Sequence, residues 1–381
     1  MVARREDEDA RGGRFVSRRK LPELDVWDEA YRERTPLQFD LELTARCNND
    51  CRHCYINLPA ADDAARAREL SSEEIDGVAT QAVEMGALWC LVTGGEPLLR
   101  DDFAEVYTGL KRLGLLVSVF TNAGLVRDEH IELFRQYPPR DVEVTVYGAT
   151  EATYERVTRR RGSHAAFVAG VDRLLSAGVR VRLKAMALRS TVHEFDEIGR
   201  FCRARTKDFY RFDPLLHLRL DGDPQRNEII RAERLSPDEI VALERADPER
   251  FGALVDLCRT FAGEEPDAGD DSRLLRCNAG MTSFTVGWDG TFRLCSSLGY
   301  PGTTADLRAV PLAEAWRDLV PSVRRLRSDS ERFRATCARC GLQDLCLWCP
   351  AHAALETGAL DEWVEYFCEV AKARDRAARG R

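Results

Sequence analysis

The stretch CNNDCRHCY, residues 47–55, sets Cys47, Cys51 and Cys54 in a C-x3-C-x2-C spacing. Three thiolates can hold three irons of a four-iron cluster, whereas a cluster that only carries electrons normally takes four cysteines. The fourth iron is then open to another ligand. A zinc knuckle is the alternative reading of three close cysteines. The surrounding sequence bears on that choice. Upstream, LQFDLEL (37–43) reads as a strand running into the cysteine loop. Downstream, Ser71 and Glu74 form a capping box that predicts a helix to about Met85. ALWCLVT (87–93), LLVSVF (115–120), DVEVTVY (141–147), VRVRLKAMAL (179–188) and DFYRF (208–212) read as further strands, separated by helical patterns such as 102–113. Six strand–helix units imply a parallel sheet in an α/β fold.

The chain has 381 residues, 44% of them apolar and 31% charged, with thirteen cysteines and a net charge of −8. That composition suits a globular protein with one large and one smaller domain. Acidic and basic residues are interspersed, so no electrostatic footprint for nucleic acid is expected. No apolar run approaches the ~20 residues needed to cross a bilayer. The start, MVARREDEDARGGRF, is charged and lacks the apolar segment of a signal peptide. A cytoplasmic, reducing location is expected, where closely spaced cysteines are metal ligands rather than disulfides.

Gly94-Gly95-Glu96-Pro97 closes the second expected strand, about forty residues after the cysteine loop. In parallel α/β architectures ligands sit at the carboxyl ends of strands, and paired glycines let the backbone approach closely. An ordinary strand–helix turn is the alternative for this motif alone. Together, C-x3-C-x2-C with a following aromatic residue and GGEP resemble the radical S-adenosylmethionine (SAM) superfamily. The resemblance implies a partial (β/α)6 barrel over residues 37–221. It implies an open iron that chelates the amino and carboxylate groups of SAM, and cleavage to a 5′-deoxyadenosyl radical that takes hydrogen from substrate. It places Gly94, Gly95 and Glu96 at the SAM amino group and the Tyr55 backbone at adenine. Asn122, Thr145 and Lys184, on the third, fourth and fifth strands, would be further SAM contacts. An Arg of the run 159–161, here taken to be Arg161, would grip the carboxylate.

From Arg276 on, cysteine density rises. Cys337, Cys340, Cys346 and Cys349 give C-x2-C-x5-C-x2-C, with Cys277 and Cys295 upstream and Cys368 downstream. This pattern resembles the SPASM extension of radical SAM enzymes, although the family's usual last spacing is C-x3-C. The resemblance implies two auxiliary clusters, and so three 4Fe–4S clusters in all. One would take Cys337, Cys340, Cys346 and Cys368, the other Cys277, Cys295 and Cys349. The second has no further cysteine between its first two; Ser283 stands there, leaving an open or non-cysteine fourth position. A structural zinc site is the alternative.

The expected organisation is a charged tail (1–36) without a peptide-binding domain, the core (37–221), a helical connection (222–275), the SPASM domain (276–370) and a charged tail (371–381). Ser236-Pro237-Asp238-Glu239 marks a helix start within the connection. Cys90, Cys202 and Cys258 lack spacing partners and read as buried, inert thiols. His53 reads as a residue behind the cluster loop, and Trp363 and Phe367 as packing beside Cys368. Asp213 and His217, past the sixth strand, are candidate proton donors or acceptors, with a structural role as the alternative. The reading implies oxidative modification of a ribosomally made peptide, with an electron donor such as flavodoxin or ferredoxin and a separate leader-peptide-binding protein. The alternatives are a small-molecule dehydrogenase or epimerase acting on a sugar, alcohol or amino acid, and an iron–sulfur electron carrier.

Overall fold

The structure, a computed structural model, describes residues 26–207, 210–261 and 272–380. Its centre is a nine-stranded sheet. Six strands follow in sequence order: β1 (Gln38–Thr44), β2 (Trp89–Gly94), β3 (Leu116–Thr121), β4 (Asp141–Val146), β5 (Val181–Met186) and β6 (Arg211–Asp213). Each pairs in parallel with the next. Helices Ser72–Glu84, Phe103–Arg112, Asp128–Gln136, Ser163–Ser176 and Phe195–Arg205 cross between them. This is the open α/β barrel that the strand count implied. The first helix starts where the sequence says, with Ser71 and Glu74 capping each other reciprocally. The helix at Ser236 is capped in the same way and runs Pro237–Ala246. The last strand begins later than expected, and Asp208 and Phe209 lie outside the described residues.

Strand alternation sorts the side chains. Phe39, Leu41, Cys90, Val92, Val117, Val119, Val142, Val144, Val181 and Leu183 are buried on the face that the helices cover. Ile75, Val78 and Ala82 of the first helix and Phe103, Val106 and Leu110 of the second pack in the same core. The residues between them in sequence face inward and are mostly polar: Asp40, Glu42, Thr93, Glu143, Thr145, Lys184 and Asp213. A barrel lumen that is polar has been kept for a ligand instead of filled with Val and Ile.

The sheet does not end at β1. The chain returns after residue 272 and adds β7 (Ser283–Val286) in parallel to the free edge of β1, followed by antiparallel β8 (Thr291–Arg293) and β9 (Thr304–Asp306). Phe284 stacks on Phe39 with ring centroids 5.4 Å apart. The cysteine-rich segment is therefore joined to the barrel by backbone hydrogen bonds and a shared core. Among the described residues no helix is long and apolar enough to cross a membrane.

Candidate active site

A cavity of about 610 Å³ occupies the lumen at the carboxyl ends of the strands. Cys47, Cys51, Cys54, Tyr55, Gly94, Gly95, Asn122, Thr145, Lys184, Asp213 and His217 all line it. Residues far apart in sequence thus converge because each ends, or closely follows, a parallel strand.

The cysteine loop is held from several sides. Asp50 and Arg52 donate their backbone N–H groups to the carbonyls of Thr158 and Val157, at 2.9 and 3.0 Å. Asn122 donates to Asn48 Oδ1 at 2.7 Å and reaches the Cys47 sulfur at 3.7 Å. Arg219, only 3% exposed, donates to the carbonyls of Cys54 and Asn57 and pairs with Asp221. Arg226 bridges Asp50 and Asn57. Neither arginine stood out in the sequence, because their partners lie more than 160 residues away.

The two glycines of the turn serve this loop directly. Gly94 has φ +124°, and a Cβ there would lie 2.3 Å from the Thr44 carbonyl oxygen. A Cβ on Gly95 would lie 2.3 Å from the Arg46 oxygen. Gly95 and Glu96 donate their N–H groups to Thr44 and Arg46, at 2.6 and 2.9 Å. The close approach expected toward a ligand is thus also an approach to the chain that carries Cys47.

Glu96 does not line the cavity. It is fully buried and accepts hydrogen bonds from Thr121 Oγ1 (2.7 Å), Asn122 N (2.8 Å) and Leu98 N (3.1 Å). Burial nevertheless pushes its carboxyl up to about 7. Its geometry is that of a brace joining the ends of β2 and β3. All three arginines of the run are exposed and none lines this cavity; Arg159 pairs with Asp50 at 3.3 Å and Arg160 donates to the Asn48 carbonyl at 2.8 Å. A left-handed Arg159 (φ +54°) turns the chain at this point.

Burial is the main cause that raises the Cys47, Cys51 and Cys54 thiols, and Cys51 is further raised by its two partners. Protonated and buried, they would be inert; as ligands of iron they would be thiolates, the charge stabilised by metal. Among the described residues no three His, Cys, Asp or Glu side chains form a ligand set for a single metal ion. The fit to a cluster rests on the shared wall and the soft donor chemistry. His53 is half-buried on the cavity wall against Tyr147, and burial of its ring lowers its pKa to about 4. His217 sits between Tyr55 and His352, at ring distances of 4.5 and 5.8 Å, and burial lowers it to about 4 as well. It is neutral near pH 7. With Nδ1 donating to the Leu218 carbonyl at 3.1 Å, Nε2 is left as an acceptor. Asp213 is exposed on the same wall.

A second cavity, of about 440 Å³, is lined by Cys277, Cys337, Cys340, Cys346, Cys349 and Cys368, with Trp348 and Trp363. The thiols divide into two groups. Burial pushes Cys346 up to about 11, and Cys340, Cys368 and Cys337 raise it further. Burial likewise pushes Cys295 up to about 11, with Cys349 and Cys277 adding to it. Ser283 belongs to β7 and is not on this cavity wall. Phe367 is buried beside Cys368. Cys90 and Cys202 are buried thiols of the main core, while the Cys258 side chain lies outside the described residues.

Comparison with known proteins agrees with this geometry. Residues 41–202 match the family model described as the radical SAM superfamily. The PqqA peptide cyclase of Gluconobacter oxydans is 28% identical over 168 residues, which span 44% of this chain and 46% of that protein. The chain thus matches about half the length of that relative. The AdoMet-dependent heme synthase of Methanosarcina barkeri is 23% identical over 83% of this chain and 92% of its own. Streptococcus suis SuiB, solved with the precursor peptide SuiA, superposes with a TM-score of 0.67 at 14% identity, covering 94% of this chain and 84% of that one. Residues 41–202 are therefore a radical SAM domain, with SPASM-type enzymes among the relatives of the chain.

Proposed function

We propose that the protein is a radical SAM enzyme that oxidatively modifies or cross-links a ribosomally made peptide. The observation that carries this is the convergence of Cys47, Cys51 and Cys54 with Gly94, Gly95, Asn122, Thr145 and Lys184 on one cavity. PqqA peptide cyclase and SuiB with its bound precursor peptide support a peptide as substrate. The three thiolates would hold a 4Fe–4S cluster that, when reduced, cleaves bound SAM and supplies a 5′-deoxyadenosyl radical.

The chain's own residues do the rest. Asn122 fixes Cys47 and Asn48, and Arg219 and Arg226 fix the other end of the loop. Thr145 and Lys184 offer polar contacts to SAM at the ends of β4 and β5, with Lys184 oriented by Glu143 at 2.8 Å. Within the arginine run, Arg159 and Arg160 are the two that contact the loop. The Nε2 of His217 and the carboxylate of Asp213 are placed to accept the proton that a substrate loses on oxidation. The groups Cys337–Cys340–Cys346–Cys368 and Cys277–Cys295–Cys349 suit two auxiliary clusters, the second with a non-cysteine fourth position. A flavodoxin or ferredoxin would supply electrons, and a separate protein would present the leader peptide.

A second reading keeps a small-molecule substrate. It is favoured by the heme synthase, whose length this chain covers far more fully than that of the peptide cyclase. Anaerobic co-expression with the short reading frames flanking the gene, followed by mass spectrometry, separates the two. A peptide lighter by about two mass units, formed only when the three loop cysteines are intact, supports the maturase. Unmodified peptides together with continued 5′-deoxyadenosine formation would refute it in favour of the second reading.

A further inference from the structure

Two acids on β1 are not among the residues assigned to SAM above. Asp40 and Glu42 point into the lumen, on the side where β1 meets β7. Glu42 is 1% exposed. One of its oxygens accepts from Arg293, which reaches across from β8. Its other oxygen, Oε1, is buried without a hydrogen-bond partner. A carboxylate oxygen left in that state costs about 1–3 kcal/mol, so the working complex should bring a donor to it.

The charge around this corner is unbalanced. Asp40 lies on the same wall and makes no ion pair with a described residue; burial pushes its carboxyl up to about 6, and the cation that partly offsets this is Arg293, which Glu42 already holds. Of the remaining lumen charges, Asp213 has no ion pair with a described residue and the others are engaged elsewhere. Glu143 is paired with Lys184 and Arg211, and Arg250 and Arg374 turn to Glu244. Two carboxylates therefore share one guanidinium. Ser296, next to Cys295, lines the same cavity, so the corner lies between the SAM loop and the second group of thiols. A neutral donor would satisfy Oε1 but leave the charge of Asp40 unmet; a cation answers both.

We propose that Asp40 and Glu42 form a subsite for a cationic side chain of the substrate, an ammonium or guanidinium. This inference rests on the peptide reading above. The Arg293 Nε is also buried and unpartnered. The competing arrangement is thus a turn of the Arg293 fork onto both Glu42 oxygens, which would close the corner.

The test is calorimetric titration of the full-length, cluster-reconstituted protein with Nα-acetyl-lysine methylamide and with its uncharged norleucine counterpart. The lysine compound should bind about tenfold tighter or better, as expected for a charge pair out of bulk water. Asp40→Asn and Glu42→Gln should each bring the ratio to within about threefold. Equal binding of the two compounds by the wild type would overturn the proposal, with solvent or Arg293 filling Oε1. A preference that persists in both variants would assign the cation to another acid, such as Asp213, and also overturn it. Glu42→Gln strips Arg293 of its partner and could unfold the protein, so Asp40→Asn, which breaks no pair, decides alone. SAM titrated into the same wild-type sample keeps the two readings apart: failure to bind SAM counts against the proposed function, while the lysine-to-norleucine ratio judges the subsite.

Discussion

Replacing Gly95 by alanine tests how the turn after β2 governs the cysteine loop. The added methyl would lie 2.3 Å from the Arg46 oxygen and 2.6 Å from the Ala45 oxygen. Contacts under 3.0 Å are essentially never seen for a real Cβ, so the Arg46 carbonyl must retreat by about 0.7 Å. Both obstacles are backbone, with no rotamer to relieve them, and Cys47 is the next residue. The hydrogen bonds from Gly95 to Thr44 and from Glu96 to Arg46 are strained by the same movement. Overpacking costs about 1–3 kcal/mol and a weakened hydrogen bond up to about 1 more. We expect urea unfolding of Gly95→Ala to show a loss of about 2–4 kcal/mol. A cluster ligand displaced by this much should also lower 5′-deoxyadenosine formation about 100-fold. Gly77→Ala is the control. Gly77 lies inside the helix Ser72–Glu84, and a Cβ there meets nothing within 4 Å. That variant should gain about 0.5–1 kcal/mol and keep its activity. A Gly95→Ala protein as stable and as active as the wild type would refute the claim that this contact positions Cys47.

Cys51→Ala should abolish 5′-deoxyadenosine formation, whereas Cys346→Ala should spare it and block product, both read by liquid chromatography of the reaction. Undiminished 5′-deoxyadenosine in Cys51→Ala would contradict the cluster assignment. Arg219→Ala removes the bonds to Cys54, Asn57 and Asp221. It should cost about 2–3 kcal/mol in urea and lower the iron retained per chain, because buried carbonyls lose their donor; unchanged iron content would argue against its role as a buttress. For Glu96, the folded carboxyl titrates at about 7 against 4.5 for its ordinary value. The protonated form is the one the fold prefers. Its contribution to stability is present below pH 4.5 and is lost as pH rises through 7, a swing of about 3 kcal/mol. The stability of cluster-free Glu96→Gln relative to wild type should therefore improve between pH 4.5 and 7.5, and a pH-independent difference would show that Glu96 is ionised throughout the range. For His217, held neutral by burial down to about 4, the sign is opposite. The unfolded imidazole takes a proton below about 6.5 that the folded one refuses, so acidification from 6.5 to 4 should destabilise the wild type more than His217→Asn.

How much of this could be read from the sequence depended on whether a feature is set by residue type or by tertiary placement. The strands β1 to β5 were legible to within about two residues because burial on one face enforces period-two alternation over Phe39-Asp40-Leu41-Glu42 and its counterparts. Cluster cysteines were legible for a similar reason: only thiolates at short spacings serve, so type and spacing together carry the information. By contrast, the pairing of β7 with β1 is a contact between segments some 245 residues apart in sequence. Ser283–Val286 could be read as a strand, yet nothing local says which edge it joins. The arginine run shows the limit most sharply. Arg159, Arg160 and Arg161 are chemically identical, and the choice among them is made by a left-handed residue at Arg159 and another at Gly162 (φ +76°), which aim two of the three at the loop.

Glu96 carries the argument one step further. Its place in the GGEP motif pointed to a ligand, but its carboxylate is filled by Thr121, Asn122 and Leu98. Holding the ends of β2 and β3 together is what sets Asn122 against Cys47, so the motif acts on the cluster through the backbone. The acids left unsatisfied lie on β1 instead, in the strand that leads into the cysteine loop, where alternation alone would explain them as inward-facing residues. A buried, unpaired oxygen on Glu42 is visible only once Arg293 has been placed beside it by β8. The proposed subsite therefore lies where the C-terminal strands complete the sheet, at positions whose meaning depends on both halves of the chain.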